Sequence, residues 1–438
     1  MKQRINELAL ALTAKAVERR RDLHRHAEVA WTEFRTAALV AATLTALGYE
    51  VQAGAEVVAA EGMMGVPSAA ELEKHAQRAL AQGANPAWVE KMKGGKTGVV
   101  GILRTGKPGP TVALRFDIDA NDVLESKEET HRPFRDGFAS VNDGAMHACG
   151  HDGHTSIGLG VAEVLAGLKN ELVGTIKLIF QPAEEGVRGA KAMVMAGVVD
   201  DVDVLLGLHI GFVLRRSGGI CCRTSGFLAT TKLDAVFTGV PAHAGGAPET
   251  GRNALLAAAT AAVNLHAISR HSAGASRINV GVLNAGSGRN VVPANAVLKI
   301  ETRGVTSAIN EYVYEESVRI INAAAAMYGV KVSLAEMGGA AGCDSDAVLG
   351  DRLRQIAEDS GLFEEQVDRA DLGGSEDCTY FMERVQQRGG LAAYMVVGSE
   401  IAAGHHDSRF DFDENVMPKA IAMVATAAVD LVKNPLTK

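Results

Sequence analysis

Three imidazoles, a thiol and a carboxylate crowd one short loop of this chain, His147-Ala148-Cys149-Gly150-His151-Asp152-Gly153-His154. These are the side chains that zinc or manganese takes as ligands. About one strand and one helix later comes Gln181-Pro182-Ala183-Glu184-Glu185-Gly186, where adjacent carboxylates follow a hydrophobic strand. Such a pair lets one carboxylate hold a metal while its neighbour handles protons. The combined chemistry is that of a metal-dependent hydrolase.

Taken singly, each of these residues has an ordinary reading. Cys149 alone is a small buried hydrophobe, and a Glu-Glu pair alone is solvated surface. Co-location with Gly and Pro turns at strand ends changes the reading to a site. A purely structural zinc is the rival, but structural sites are closed and Cys-rich, whereas this set is mixed and carries spare carboxylates. Asp117-Ile118-Asp119 follows another strand and reads either as a supporting carboxylate pair or as an Asp-capped turn. His243, in Pro241-Ala242-His243-Ala244-Gly245-Gly246, is remote in sequence from these groups. Arg289-Asn290, between two strands, is either a guanidinium that grips a substrate carboxylate or a surface residue of a hairpin loop.

The elements that must position these groups follow from periodicity. Residues 5–47 predict two helices with the polar run 18–22 between them. Residues 53–96 are polar, Ala- and Glu-rich and mostly helical, an insertion between core strands. Residues 99–103 and 111–116 read as paired strands across the turn 105–110. An amphipathic helix over 155–168, a buried strand over 174–180 and a strand over 204–210 come next, the last carrying His209. Strands alternating with helices imply an α/β sheet, whose ligands gather beyond the strand C-termini. Asp117, Glu184, Glu185 and His209 all fall there.

Near Ser225 the rhythm changes. A strand over 231–237, a helix over 251–268, strands over 278–285 and 296–303, a helix over 308–327 and a strand over 330–336 give the β-α-β-β-α-β order of a ferredoxin-like layer. After residue 347 the α/β character returns, with a strand over 392–397 and then Gly404-His405-His406. The predicted fold class is therefore α/β. A mixed-sheet catalytic domain with helices on both faces spans 1–224 (helical insertion 53–96) and 342–438. A ferredoxin-like α+β lid or dimerisation domain over 225–341 interrupts it.

Composition excludes several other classes. At 438 residues the chain exceeds one ordinary core. A net charge of −8 with no basic stripe argues against nucleic acid and anionic membranes as partners. The first residues lack the apolar core of a signal peptide, and apolar runs such as 255–263 are too short to span a bilayer. Five cysteines without framework spacing fit a reducing compartment, so a cytoplasmic address is expected.

The ordered set MHACGHDGH, QPAEEG, LLGLHIG, AHAG, GSGRNVVPA, GGSEDC and AGHHDSRFDFDE, running from residue 146 to 414, resembles the dinuclear metallo-amidohydrolases that include aminoacylases, auxin-conjugate hydrolases and glutamate carboxypeptidases. The resemblance implies hydrolysis of the amide of an N-acyl amino acid with two divalent metals per subunit, manganese or zinc. It implies that Cys149 bridges or coordinates the metals, with His151, Glu185, His209 and His406 completing the sites. His406 is preferred to His405 because Phe410, Asp413 and Glu414 follow it at the family's spacing. Glu184 would be the general base, and His243 would reach the partner subunit's active site to stabilise the oxyanion. Arg289 and Asn290, with the backbone of Gly374 and Ser375, would hold the substrate's carboxylate end. Relatives with the commoner His-x-Asp element ligate through its first position; Asp117 stands there in this chain, and His151 substitutes.

Within that family, HRPFRDGFASVNDGAMHACGHDGHT and the 53–96 insertion, which relatives acting on auxin conjugates generally lack, imply an aromatic acyl-glutamate as the small-molecule substrate. Another N-acyl amino acid, such as an indoleacetyl-aspartate, is the alternative. A third reading is a low-activity subunit of a heteromeric hydrolase. The expected assembly is a homodimer or a heteromer with a related subunit.

Overall fold

The chain opens on helices α1 (Lys2–Ala11), α2 (Thr13–Arg25) and α3 (Phe34–Ala46). The structure, a computed structural model, describes residues 1–436; Thr437 and Lys438, the tail of the predicted third segment, lie outside them. Where the sequence predicts two helices separated by the run 18–22, that run lies inside α2. The reason is Arg20, which is fully buried against carboxylates instead of facing solvent in a turn.

Strand β1 (Glu50–Ala53) leads into α4 (Ala69–Ala81) and α5 (Pro86–Lys91), whose first turns are capped by the Ser68 and Asn85 side chains. Strands β2 (Val99–Arg104) and β3 (Thr111–Asp117) are not the predicted pair. Strand β4 (Thr175–Gln181) lies between them, antiparallel to β2 and parallel to β3. The 105–110 connection crosses the start of β4, where the Thr175 amide donates to the Pro110 carbonyl at 3.0 Å. Both strands are continuous buried runs, a pattern that does not reveal which neighbour each takes.

The one-turn α6 (Arg132–Arg135) and then α7 (His151–Leu168) stand between β3 and β4. Helix α7 begins four residues before the predicted 155–168, and is buried on nearly every side rather than amphipathic. After β4 come α8 (Ala190–Met195), β5 (Val204–Ile210), and the short β6 (Gly219–Cys221) and β7 (Thr224–Ser225).

The next segment carries β8 (Ala229–Thr238), α9 (Ala254–Leu265), β9 (Ser276–Ala285), β10 (Asn295–Gly304), α10 (Ser307–Met327) and β11 (Lys331–Ala340). Its four strands pair antiparallel in the order β11-β8-β10-β9, a ferredoxin-like layer. The chain then runs through α11 (Ala347–Ser360), β12 (Glu365–Val367), β13 (Ala370–Asp371), α12 (Cys378–Gln387), β14 (Leu391–Val397) and α13 (Val416–Lys433).

Two compact units result. One comprises Met1–Ser225, Asp344–Leu372 and Asp377–Lys438; the other comprises Gly226–Cys343 and Gly373–Glu376. In the first unit an eight-stranded mixed sheet has the order β1-β2-β4-β3-β5-β14-β6-β12. Strands β4, β3, β5 and β14 run parallel, so their C-terminal ends lie along one edge. Alternate residues of a strand face opposite layers. Val112, Leu114, Phe116, Leu206, Leu208 and Ile210 join one core with α7 and α13, which leaves Arg115 and Gln181 on the other side against Asp377. Asp117 and His209, at the strand ends, meet His154 of α7. Polar groups are thus concentrated where the parallel strands end. Among the described residues, no helix is long and apolar enough to cross a membrane.

Candidate metal centre

Gly150 caps α7 at φ 90°, a left-handed conformation that a side chain would strain. That corner turns Cys149 and His151 towards one point. Cys149 Sγ lies 3.4 Å from Nε2 of His209, which arrives from the end of β5. The donor atoms of Cys149, His151 and His209 lie within 4.8 Å of one another, as do those of Cys149, Glu185 and His406, and those of His151, Glu184 and Glu185. Oε1 of Glu185 is 3.4 Å from His406 Nε2 and 3.9 Å from His151 Nε2. The five side chains Cys149, His151, Glu185, His209 and His406 therefore converge, and Glu184 stands beside them. Cys149, His151 and His209 are buried, whereas the His406 side chain is 57% exposed and forms the open edge.

Hydrogen bonding fixes the rings. His151 Nδ1 donates to the Asp119 carbonyl at 2.9 Å, and His209 Nδ1 donates to the Ile210 carbonyl at 2.8 Å. Both rings so keep an Nε2 lone pair for the cluster. Nε2 of His151 and Oε1 of Glu185 are buried without a hydrogen bond, a costly state that a cation relieves. A thiol, three imidazoles and carboxylates are a donor set that fits a divalent metal.

The electrostatics agree. Burial and the neighbouring His154 and His405 hold His209 well below the usual range, in the neutral form that ligates. Burial pushes the Cys149 thiol up, a shift that a bound cation reverses. Burial opposes the charge of Glu185, but the His406 ring 3.4 Å away and the charge of His151 lower it to about 2. The close approach of Cys149 and Glu185 raises His406 to about 10. The cluster draws positive charge onto His151 and His406, which is the demand a cation would meet.

Asp117 and His154 are also within reach of His151, yet both are spent elsewhere. Asp117 Oδ1 accepts from His154 Nδ1 at 2.6 Å, and Oδ2 accepts from Arg115 Nη1 at 2.7 Å. His154 Nε2 accepts from the Ile210 amide at 2.9 Å, so neither of its nitrogens is left for a metal. His405 directs Nε2 towards the Ile210 carbonyl at 3.4 Å and packs on Phe410 and Phe212. Burial lowers His405 to about 4. His147, in the same motif, is buried away from the cluster's hydrogen bonds.

The Glu184-Glu185 turn is held by Asp119, which the sequence offered as a supporting carboxylate, and by Glu33 and Asp377, which sequence reasoning missed. Asp119 Oδ1 accepts from the Glu184 amide at 3.0 Å and Oδ2 from the Glu185 amide at 2.9 Å. Glu33 Oε1 accepts from the Ala183 amide at 2.8 Å, while its Oε2 accepts from Thr97 Oγ1 at 2.6 Å. Burial and the Asp119 carboxylate push Glu33 up to about 8. Asp377 Oδ1 accepts from Gln181 Nε2 at 2.7 Å, and Oδ2 accepts from the Gly189 and Ala190 amides at 3.0 and 2.9 Å. Its signal was present, since Asp377 belongs to the GGSEDC motif; Glu33 had none.

A second missed network ties the segments that carry His151 and His406. Buried Arg20 binds Asp152 at 2.8 Å, Asp411 at 2.9 Å and Glu414 at 3.2 Å. Asp152 follows His151 in sequence, and Asp411 and Glu414 belong to the loop after His406. Arg20 therefore braces two walls of the cluster at once.

His243, Arg289, Asn290, Gly374 and Ser375 lie in the second unit. The Ala244 amide donates to the Asn290 carbonyl at 3.0 Å, joining the two loops. His243 Nδ1 accepts from the Gly245 and Gly246 amides at 3.1 and 2.9 Å, so its proton sits on Nε2. Arg289 and Asn290 are exposed. Ser375 Oγ donates to the Leu228 carbonyl at 2.7 Å, and the Gly374 carbonyl accepts from the Leu228 amide at 2.8 Å.

Comparison with known proteins bears on all of this. Residues 113–430 match the peptidase family M20/M25/M40. The chain is 54% identical over 427 residues to the indole-3-acetyl-aspartic acid hydrolase of Enterobacter agglomerans, covering 97% of this chain and 98% of that protein. It is 51% identical over 428 residues to a p-aminobenzoyl-glutamate hydrolase subunit of Escherichia coli (strain K12), again covering 97% and 98%. A solved aminobenzoyl-glutamate utilization protein from Klebsiella pneumoniae has the same fold, with a TM-score of 0.85 at 45% identity, covering 99% of this chain and 100% of that one. A relative named for an auxin conjugate aligns over 97% of the chain, so the 53–96 segment does not separate that substrate class from the other.

Proposed function

This chain belongs to peptidase family M20/M25/M40 and is a metal-dependent amidohydrolase of N-acyl amino acids, and we propose that it cleaves p-aminobenzoyl-glutamate to p-aminobenzoate and glutamate. The observation that carries the reading is the cluster itself, with Glu184 held beside the donor atoms by the Asp119 clamp. Cys149 is common to two of the donor groups, and with His151, His209, Glu185 and His406 it would hold two divalent cations. Zinc or manganese suits this mixed set.

When bound, the cations supply Lewis acidity that polarises the amide carbonyl and acidifies a water. Glu184 accepts a proton from the water as its oxygen adds to the carbonyl carbon. His243, contributed by a partner protomer, donates from Nε2 to the developing oxyanion. Glu184 returns the proton to the amide nitrogen as the C–N bond breaks, releasing p-aminobenzoate and the amine of glutamate. Arg289 and Asn290, with the Gly374-Ser375 backbone, hold the α-carboxylate end of the substrate.

A second reading keeps the chemistry and changes the substrate to indole-3-acetyl-aspartate; the 54% identical relative favours it. The 51% identical relative is named as one subunit of a hydrolase, which supports a heteromer with a related chain; a homodimer is the alternative assembly. A low-activity subunit is the weaker reading, because the chain keeps both Glu184 and Glu185. The test is release of free glutamate from p-aminobenzoyl-glutamate, run beside indoleacetyl-aspartate, with elemental analysis of the purified protein. Glu184→Ala is expected to abolish turnover and keep the metals. Metal lost with Glu184 would move it among the ligands, and a wild type inert on both substrates would sink the reading.

A further inference from the structure

The turn beyond Glu185 is unusual in its backbone. Ala183 (φ 52°), Gly186 (83°) and Val187 (60°) are all left-handed. A β-branched residue there is an outlier that its surroundings must impose. The turn closes tightly, with the Val187 amide donating to the Glu184 carbonyl at 2.6 Å and the Arg188 amide to the Ala183 carbonyl at 3.0 Å.

This geometry folds Arg188 back over Gly186, where a Cβ would stand 3.0 Å from Arg188 Nε. Nε donates to the backbone carbonyl of Glu185 at 2.8 Å, and Nη1 points at the Gly65 carbonyl at 3.4 Å. No carboxylate of the described residues pairs with the guanidinium, although it is half-buried. Three other partly or fully buried arginines of this unit are paired with acids: Arg35 grips both oxygens of Asp22, Arg352 both of Asp430, and Arg20 binds three carboxylates. A cation out of water without an anion is unfavourable, and the planar fork of Arg matches a carboxylate.

The wall behind it is firm. Gly65 belongs to the 53–96 segment, where Trp31 Nε1 donates to the Met64 carbonyl at 2.7 Å and the Ala59 amide to the Ala192 carbonyl at 3.0 Å. A Cβ on Gly62 would stand 2.6 Å from the Ala192 Cα, so that segment lies directly on α8. Arg188 is thus fixed between this wall and the backbone of a residue whose own carboxylate belongs to the cation cluster.

We propose that Arg188 is a specificity-determining residue that receives the side-chain carboxylate of a dicarboxylic amino acid in the substrate. The proposal rests on the amidohydrolase reading above. Arg188 would serve the second acid, a few carbon atoms from the scissile nitrogen, leaving the α-carboxylate to other groups. Asparagine and glutamine conjugates lack that second charge and would leave Arg188 unpaired.

The experiment compares p-aminobenzoyl-glutamate with p-aminobenzoyl-glutamine in the wild type, Arg188→Gln and Arg188→Lys. Turnover is measured on the metal-loaded enzyme, and binding by calorimetry in the Glu184→Gln background, where ligand is not consumed. The wild type is expected to favour glutamate by roughly one to two orders of magnitude in kcat/KM, as for the loss of one hydrogen bond to a charged group. Arg188→Gln should lose about that factor on glutamate, mainly through KM, and little on glutamine; Arg188→Lys should restore part of it. Equal losses on both ligands would show that Arg188 only braces the turn, and no loss would also overturn the proposal. If the wild type binds p-aminobenzoyl-glutamate without cleaving it, the hydrolase reading fails, and the binding comparison still decides Arg188. A wild type that binds neither ligand overturns both.

Discussion

Asp119 holds Glu184 by its backbone: one carboxylate oxygen accepts the Glu184 amide at 3.0 Å, and the other accepts the adjacent Glu185 amide at 2.9 Å. The same residue's carbonyl takes the His151 Nδ1 proton at 2.9 Å, so one residue orients a cation donor and the base together. Asparagine could accept one of those amides but would face the other with a donor. An unsatisfied buried amide costs roughly 1–3 kcal/mol, and the displaced turn carries Glu184 with it. Asp119→Asn is therefore expected to lower kcat about 10- to 100-fold, as for a loss of alignment, with the protein still folded by circular dichroism. A kcat within twofold of wild type would show that the clamp does not position the base.

Cys149 is the donor shared between two groups of potential ligands, so its loss should weaken cation binding at more than one position. Cys149→Ser is expected to bind metal at least tenfold more weakly, with a lower metal content on elemental analysis. Cobalt-loaded wild type should show sulfur-to-metal charge transfer in the near ultraviolet, and the variant should not. Chelator treatment should abolish activity and lower Tm, since ligands that bind the folded state stabilise it, by about 2.7 kcal/mol at a hundredfold excess over Kd. Unchanged metal content and spectrum in Cys149→Ser would remove Cys149 from the centre.

His243 presents its proton on Nε2, because Nδ1 accepts two glycine amides. That tautomer suits donation to an oxyanion. His243→Ala is expected to lower kcat by roughly two to three orders of magnitude, as for other oxyanion donors. If it serves the partner's site, mixing His243→Ala with Glu184→Ala protomers should regenerate one intact site per hybrid dimer, about a quarter of wild-type activity at equal mixing. Hybrids with no recovered activity would contradict the role across the interface.

The residues that could ligate were legible because Cys, His and Glu in Gly- and Pro-bearing corners at strand ends are an uncommon combination. Cys149, His151, Glu185, His209 and His406 do converge in the structure. The β-α-β-β-α-β order was legible because helical and strand periods alternate cleanly along that stretch. What supports the centre was not. Arg20 sits in a charged run that reads as a solvated turn, and its acids come from Asp152, Asp411 and Glu414, far along the chain. Glu33 is a lone carboxylate with no motif, although it holds the Ala183 amide. The pairing of β2 and β3 was misread because β4, the strand between them, arrives about sixty residues later and nothing local announces it.

His24 gives the fold a pH dependence whose sign follows from its partners. Its Nδ1 lies 2.8 Å from Asp152 Oδ2 and its Nε2 2.9 Å from Glu125 Oε1, and Glu125 is also bonded by His131 at 2.8 Å. Burial and nearby Arg20 oppose a charge on the ring, but hydrogen bonds to the two carboxylates prevail and raise His24 from 6.5 to about 9. A group raised on folding stabilises fully below its unfolded pKa and loses that contribution as pH climbs through its folded one. The window therefore runs from about 6.5 to about 9, and the contribution is on the order of 3 kcal/mol. The two acids are shifted the other way, and their contribution is lost only at acid pH. In metal-stripped protein, urea unfolding should show His24→Gln destabilised most near pH 6, with the gap from wild type closing as pH approaches about 9 to 10. Parallel pH profiles for the two proteins would mean that His24 carries no extra proton in the folded state, and the bridge between Asp152 and Glu125 would then be a neutral one.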